Sequence, residues 1–217
     1  MNARQQSLQE LQQIKKMMER SSKFISLSGL SGIAAGTCAM IGAWLASGKI
    51  NCWMHGDCGF GKLAKESAAS LQNDLFLIAL FTFTGAFVMA FLFTYLRSKR
   101  TGVPLWGTTA YRLFWNMSIP LAAGGLFLIR SIELEQYELV APGCLIFYGL
   151  ALVNASKYTL GEVRYLGYIQ ILLGIANLWM TGYGLYFWAA GFGLLHIVYG
   201  IWMWNKYERA GSTNENQ

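Results

Sequence analysis

The sequence predicts an all-α polytopic membrane protein with six transmembrane helices and with both termini in the cytoplasm. Three observations lead to this fold class. Hydrophobic residues make up 54% of the 217 residues and charged residues only 13%, against roughly 25% charged residues in an ordinary soluble domain. The apolar residues are gathered into six runs, each near the ~20 residues that cross a bilayer as a helix. The basic residues are concentrated in alternate connecting segments, which is the pattern of cytoplasmic loops.

The six apolar runs define a transmembrane domain over residues 24–205. The runs cover residues 24–46, 75–96, 113–129, 137–153, 165–180 and 185–204. A long outside loop is predicted at 47–74, and a polar cytoplasmic tail at 206–217. Residues 1–23 are predicted to form a cytoplasmic amphipathic helix, because Ser7 and Glu10 have the spacing of a capping box and apolar residues follow at helical intervals.

The orientation of the spans follows from the Lys and Arg residues. The four segments on one side of the spans hold 13 of the 17 basic residues, and the three segments on the other side hold 4. Because cytoplasmic loops carry this excess, both termini are expected in the cytoplasm. The net charge of +6 is therefore a consequence of topology. It predicts contact with anionic membrane lipids and no nucleic-acid partner.

Two segments of the chain share a pattern that predicts an internal repeat. Residues 146–158 read IFYGLALVNASKY, and residues 197–207 read IVYGIWMWNKY. Each contains Tyr-Gly, four apolar residues, Asn and Lys-Tyr, with two extra residues in the first copy. We predict that spans three and four and spans five and six are parallel copies of one helical hairpin. The alternative is chance recurrence, because Tyr, Asn and Lys all suit a membrane interface.

Polar side chains within the odd-numbered spans predict that spans one, three and five are central and that the Phe-rich second span faces lipid. Span one also carries Ser28, Gly32 and Gly36 at intervals of four residues. Such a stripe of small residues lets another helix approach closely. We expect it to pack against a helix of the same chain, and a homodimer through it is the alternative.

A candidate ligand site is predicted around His196, the one ionisable side chain near the middle of a span. Ionisable groups are costly in a bilayer and are therefore functional candidates. A lone histidine in a span is, however, more often a neutral imidazole that is hydrogen-bonded to a Tyr, an Asn or a backbone carbonyl and serves packing only. The other candidate ligand-binding residues are polar side chains of the spans: Asn116, Gln170, Asn177, Tyr148 and Tyr199.

The predicted outside loop contains Cys52, His55, Asp57 and Cys58. The spacing of the two cysteines and the histidine suits a zinc ion, with Asp57 as a further ligand. This loop is expected to face an oxidising compartment, however, where neighbouring thiols pair. A Cys52–Cys58 disulfide is therefore the favoured prediction, and a metal site is the alternative. No cofactor is predicted.

Three functions remain open, in a fixed order of preference. The first is non-enzymatic binding or sensing of a small apolar or lipid-like molecule, or a role as a regulatory membrane partner. The second is an uncoupled transporter or channel built from hairpin repeats, which a polar line from face to face would favour. The third is a membrane enzyme that uses a cytoplasmic basic rim with Arg112, Lys157 and Arg164. An enzyme is disfavoured because the sequence has no catalytic-triad pattern, zinc-protease motif or phosphate loop.

The segment MMERSSKFISLSGLSG at residues 17–32 resembles the opening of a group of uncharacterised bacterial multi-pass inner-membrane proteins. The resemblance extends over most of the chain. It implies a location in the bacterial cytoplasmic membrane, and it assigns no activity and no site residues.

Overall fold

The computed structural model describes residues 28–55, 68–102 and 107–209, and all regular structure within these ranges is helical. The first three helices are α1, Gly29–His55, α2, Ala68–Thr101, and α3, Thr108–Glu133. A 3₁₀ turn, Tyr137–Leu139, leads into α4, Val140–Ala155. The fifth helix, α5, is Val163–Trp179.

The last helix, α6, consists of four consecutive segments. Gly184–Trp188 and His196–Trp204 are α-helical, whereas Ala189–Leu195 and Asn205–Arg209 are π-helical. A π-helical segment contains an extra residue per turn, so it displaces a backbone carbonyl from the regular α-helical ladder. The first of these two segments forms part of the candidate site.

Within the described residues, five of the six helices are long and apolar enough to cross a membrane, and α5 is the exception. The candidate span of α4 includes the preceding 3₁₀ turn. The all-α prediction is therefore confirmed for the described residues. Helix α5 has 17 residues, or about 25 Å at 1.5 Å per residue, which is the lower limit for a span. The sixth span and the orientation of the bundle remain predictions.

Helices α1 and α2 extend beyond their apolar runs. Residues 47–55 and 68–74 are helical, so they are not part of a loop as predicted for 47–74. The Lys49 ammonium binds the Asp74 carboxylate at 2.5 Å between these extended ends. The difference arises because an apolar run marks only the stretch suited to hydrocarbon, whereas the helix continues through the polar interface. The amphipathic helix predicted over 1–23 lies outside the described residues, as does most of the polar tail.

The apolar core lies where α4, α5 and α6 meet. Its buried side chains are Leu152, Leu160, Val163, Leu166 and Met203. Helices α2 and α3 are peripheral, and the buried share of their apolar stretches is 0% and 6%. The outward position of the second span agrees with the prediction. The central position predicted for the third span is wrong, because α3 packs chiefly against α4.

Glycines bring α4 and α5 into backbone contact. A Cβ atom on Gly149 of α4 would lie 2.7 Å from the carbonyl oxygen of Gly167 on α5, and a Cβ on Gly167 would lie 2.8 Å from the carbonyl oxygen of Gly149. One on Gly174 would lie 3.0 Å from the carbonyl oxygen of Pro142. No larger residue fits these positions unless the two helices separate.

The contact between α1 and α6 is built in the same way. A Cβ atom on Gly200 of α6 would lie 2.6 Å from the carbonyl oxygen of Gly29, and one on Gly36 would lie 2.7 Å from that of Gly193. Gly32 lies between these points, where its Cβ would be 3.3 Å from the His196 carbonyl oxygen. The small-residue stripe of span one is therefore covered by α6 of the same chain, as expected, so a homodimer through it would have to displace α6.

Candidate functional site

The candidate site is centred on the carbonyl oxygen of Gly191 in the π-helical segment of α6. This oxygen accepts two side-chain hydrogen bonds, one from Gln170 Nε2 of α5 and one from His196 Nδ1 of α6, both at 2.9 Å. A Cβ at position 191 would meet the Gln170 Oε1 atom at 2.5 Å and would also contact Leu145, so a larger residue there would displace these two side chains. Because the π turn is wide and Gly191 has no side chain, the Gly191 carbonyl is accessible to donors from both α5 and α6.

The hydrogen bonds fix the tautomer of His196. A carbonyl oxygen can only accept, so the Nδ1 atom that faces Gly191 carries a proton. Burial among uncharged groups favours the neutral ring, and its Nε2 atom then accepts the hydroxyl proton of Tyr148 on α4 at 2.8 Å. His196 is 8% exposed, and both of its ring nitrogens have partners within the chain.

Aromatic rings enclose this histidine. The ring of Phe192 lies nearly parallel to that of His196, with an interplanar angle of 12° and centroids 6.0 Å apart. Phe192 also packs against Tyr148 and Trp188, at centroid distances of 5.0 and 5.2 Å. The environment of the polar network is therefore apolar and aromatic.

Three buried polar atoms of this region have no hydrogen-bond partner within the described part of the chain: Gln170 Oε1, Asn177 Oδ1 and Tyr199 OH. The Gln170 and Asn177 side chains are 0% and 3% exposed. Their amide nitrogens are both engaged, since Gln170 donates to Gly191 and Asn177 Nδ2 donates to the Met180 carbonyl oxygen at 3.3 Å. What remains at each amide is the acceptor oxygen, which has no partner, and the second N–H of a nitrogen that already makes one bond.

A charged cluster closes the end of the bundle at the α4–α5 loop. The Glu162 carboxylate accepts hydrogen bonds from Lys206 Nζ at 2.7 Å and from Tyr207 OH at 2.6 Å. Burial alone would raise the pKa of Glu162, but these two hydrogen bonds, a backbone hydrogen bond and the charge of Lys206 together lower the pKa to about 2. The cluster ties the loop to the last turns of α6.

The structure brings together four of the six predicted ligand-site residues. Gln170, Tyr148 and His196 form one network, and Tyr199 lies one helical turn beyond His196 on α6. Asn177 is on the same helix as Gln170, about two turns further along and near the C-terminal end of α5. Asn116 stands apart on α3, where its Nδ2 donates to the Arg112 carbonyl oxygen of its own helix at 2.8 Å.

The predicted disulfide and its metal alternative fall mostly outside the described residues. Cys52 lies near the end of α1 and is disulfide-bonded, whereas Cys38 and Cys144 are free thiols. Cys58 and Asp57 are outside the described ranges, so the pairing of Cys52 with Cys58 stays a prediction. Among the described residues, no group of three or more His, Cys, Asp or Glu side chains could hold a metal ion.

Sequence reasoning missed the central acceptor, the Gly191 carbonyl. The signal available for it was the segment AAGFGLL, whose two glycines interrupt an otherwise bulky span just before His196. No protein-family model, curated protein or solved structure matches the chain. The inferences about function therefore rest on the geometry of this site.

Proposed function

We propose that this chain is an integral protein of a bacterial inner membrane, that all six helices cross the bilayer, and that both termini are cytoplasmic. The excess of basic residues on one side supports this orientation. Helix α5 supplies the sixth span in spite of its 17 residues. Arg164 at its start can snorkel to the interface and so lengthen its effective reach.

We further propose that the bundle contains a duplicated hairpin. Helix α5 has Gly167, Ile171 and Gly174 with the same spacing as Gly29, Ile33 and Gly36 of α1. The residues that they contact also match in spacing. Helix α5 contacts Ile146 and Gly149 of α4, and helix α1 contacts Ile197 and Gly200 of α6. These contacts equate α4 with α6, which supports the predicted repeat of spans three and four in spans five and six. They also equate α5 with α1, a helix that the predicted repeat does not include.

The function we infer is the non-enzymatic binding of a small, mostly apolar molecule among α4, α5 and α6, as in a sensor or a regulatory membrane protein. One observation carries this inference: Gln170 is fully buried, and its Oε1 atom has no donor within the described residues. A buried acceptor without a donor costs about 1–3 kcal/mol. A ligand that supplies the donor removes this cost, and the surrounding aromatic rings bind the rest of the molecule.

His196 has a positioning role in this proposal. Both of its nitrogens are occupied by Tyr148 and Gly191, so the ring does not itself offer a free atom to a ligand. It fixes the Gly191 carbonyl, and this carbonyl in turn orients the Gln170 amide. Loss of the imidazole is therefore expected to weaken ligand binding indirectly, by changing the orientation of the Gln170 amide.

Ligand retention by the purified protein tests the proposal. Wild-type protein is isolated in mild detergent, extracted with organic solvent and examined by mass spectrometry for small molecules bound in stoichiometric amount. We expect a species that is lost from Gln170→Met and His196→Phe proteins. Asn116→Leu is the matched control, because the Asn116 amide bonds only its own helix.

The result that overturns the proposal is a wild-type protein with no retained species, or with a species that all three variants retain equally. Thermal unfolding of each variant is measured in parallel. A variant that unfolds at a much lower temperature than wild type is replaced by Gln170→Leu or His196→Leu before the comparison is made.

A second candidate function is uncoupled transport of a small solute. The observation that favours it is the series of polar groups along the α5–α6 contact, from Asn177 through Gln170 and His196 to Glu162. Stopped-flow light scattering of proteoliposomes measures the rate of solute efflux. Faster efflux of a neutral solute than from empty liposomes, with a further change in Glu162→Ala protein, supports transport, and equal rates contradict it.

A further inference from the structure

We infer that the molecule bound at the α4–α5–α6 site is uncharged and offers hydrogen-bond donors, as a hydroxyl or amide N–H group does. This inference rests on the proposed binding function and specifies the ligand's chemical class. It follows from which atoms of the site are already engaged and which are not.

The engaged atoms are donors. Gln170 Nε2 and His196 Nδ1 both donate to Gly191, and Asn177 Nδ2 donates to Met180. The Tyr148 hydroxyl donates to the imidazole in its neutral form. A ligand that requires donors from the protein, such as a carboxylate, sulfate or phosphate, would have only the second N–H of each amide and the Tyr199 hydroxyl, and these uncharged groups would have to balance a full negative charge.

The free atoms are chiefly acceptors. The oxygens of Gln170 and Asn177 are carbonyl-type atoms with lone pairs and no proton. The two residues are seven positions apart on α5, which places them on the same side of the helix, about 10 Å apart along its axis. A molecule that lies along α5 can therefore donate to both oxygens. The Tyr199 hydroxyl, which can donate or accept, is the third free group.

The charge of the surroundings decides against an ionic ligand. Among the described residues, the nearest carboxylate along α5 is Glu162, which is already bound to Lys206 and Tyr207. Arg164 is exposed and donates to Tyr165 instead of pointing to the site. A cation buried beside Gln170 would have only dipoles to balance it, and a buried charge without a counter-charge is strongly unfavourable.

The same donor chemistry can be carried by a lipid or by a free solute. In a lipid, the donor is the hydroxyl group of an uncharged headgroup, and the acyl chain lies among Leu145, Trp188 and Phe192. In a free solute, the donors belong to a small polyol or amide. Both sources present an uncharged donor to the same two oxygens, and competition between the two kinds of molecule separates them.

Photo-crosslinking in nanodiscs tests the inference. The probes are hexadecanol with a diazirine in its chain, its methyl ether, its sulfate ester and the corresponding trimethylammonium compound. Labelled peptides of α5 and α6 are quantified by mass spectrometry, relative to peptides of the peripheral α2. We expect the alcohol to label the α5 and α6 peptides about fivefold more than the ether, which is the effect of one hydrogen bond.

Gln170→Met should reduce labelling by the alcohol to the level of the ether, and Asn116→Leu should leave it unchanged. Equal labelling by the ether, the sulfate or the ammonium probe overturns the donor inference but leaves ligand binding intact. No labelling of α5 and α6 above the α2 level by any probe overturns the binding proposal itself.

Competition identifies the source of the donor. Excess monoacylglycerol that displaces the alcohol probe assigns the site to a lipid headgroup, and excess short-chain diol that does so assigns it to a free solute. Either displacement supports the inference. If neither competitor displaces the probe, the donor does not determine binding and the inference fails.

Discussion

Replacing Gly149 by alanine tests the backbone contact that holds α4 against α5 and thereby positions Gln170. The new Cβ atom would lie 2.7 Å from the carbonyl oxygen of Gly167, whereas ordinary van der Waals contact begins at 3.4 Å. The obstacle is a helix backbone, which cannot rotate away as a flexible side chain can. The two helices must therefore separate by about 0.7 Å.

The expected cost can be worked out from two opposing effects. Overpacking a close contact typically costs about 1–3 kcal/mol, and alanine regains about 0.5–1 kcal/mol because it is the better helix former. We expect Gly149→Ala to lower the free energy of unfolding by about 1–2 kcal/mol. In Gly125→Ala the new Cβ has nothing within 4 Å, so this control should be neutral or up to about 1 kcal/mol more stable.

The free energy of unfolding of each purified variant is measured in bicelles by steric trapping. The account predicts that the two variants differ by about 2 kcal/mol, with Gly149→Ala the less stable. Equal stabilities would mean that α4 and α5 are not in backbone contact at Gly149, and the geometry of the site would have to be abandoned.

Three further predictions concern the orientation, the outside loop and the charged cluster. A cysteine introduced at 132–136 should react in intact cells with a membrane-impermeant thiol reagent and one at 99–103 should not; the reverse pattern contradicts the orientation. Mass spectrometry of non-reduced, alkylated protein should find Cys52 linked to Cys58, whereas two labelled thiols with stoichiometric zinc would favour the metal site. Because the pKa of Glu162 is lowered from 4.5 to about 2, its contribution to stability is complete above about pH 5 and is lost as the pH falls through about 2. The unfolding temperature between these pH values should depend less on pH in Glu162→Gln protein than in wild type. An unchanged dependence refutes the lowered pKa of Glu162.

The all-helical fold could be predicted because it follows from composition and run length, which a sequence records directly. Residues 113–129 and 185–204, for example, have enough apolar content to be recognised as helices from the sequence. The arrangement of the helices was harder to predict. Asn116 and Ser118 suggested a central third helix, but Asn116 satisfies its amide on the Arg112 carbonyl of its own helix, so its polarity does not require burial in the bundle.

The repeat pattern contained more information than the hairpin prediction used. The spacing of Gly29, Ile33 and Gly36 on α1 is repeated on α5, and the two sets make equivalent contacts with neighbouring helices. A stripe of small residues predicts that some helix approaches closely. It does not identify this helix, because the contacting residues Gly193 and Gly200 of α6 are more than 150 residues away along the chain.

The chemistry of the site was only partly accessible from the sequence. His196, Gln170 and Tyr148 were selected as buried polar residues, but their common partner is a backbone atom, the Gly191 carbonyl. A sequence shows side chains and does not show which carbonyl a π-helical segment displaces. For the same reason it could not show that both nitrogens of His196 are occupied and that the free acceptor belongs to Gln170.

The central claim, that Gln170 receives a hydrogen bond from a bound uncharged molecule, is tested most directly by an experimental structure of the protein in a lipid nanodisc. The resolution must be sufficient to show side-chain amides. The account predicts non-protein density within about 3 Å of Gln170 Oε1, continuous with density along α5 toward Asn177. A well-resolved Gln170 whose Oε1 atom contacts only protein atoms, in wild-type protein that has not been delipidated, would contradict the claim.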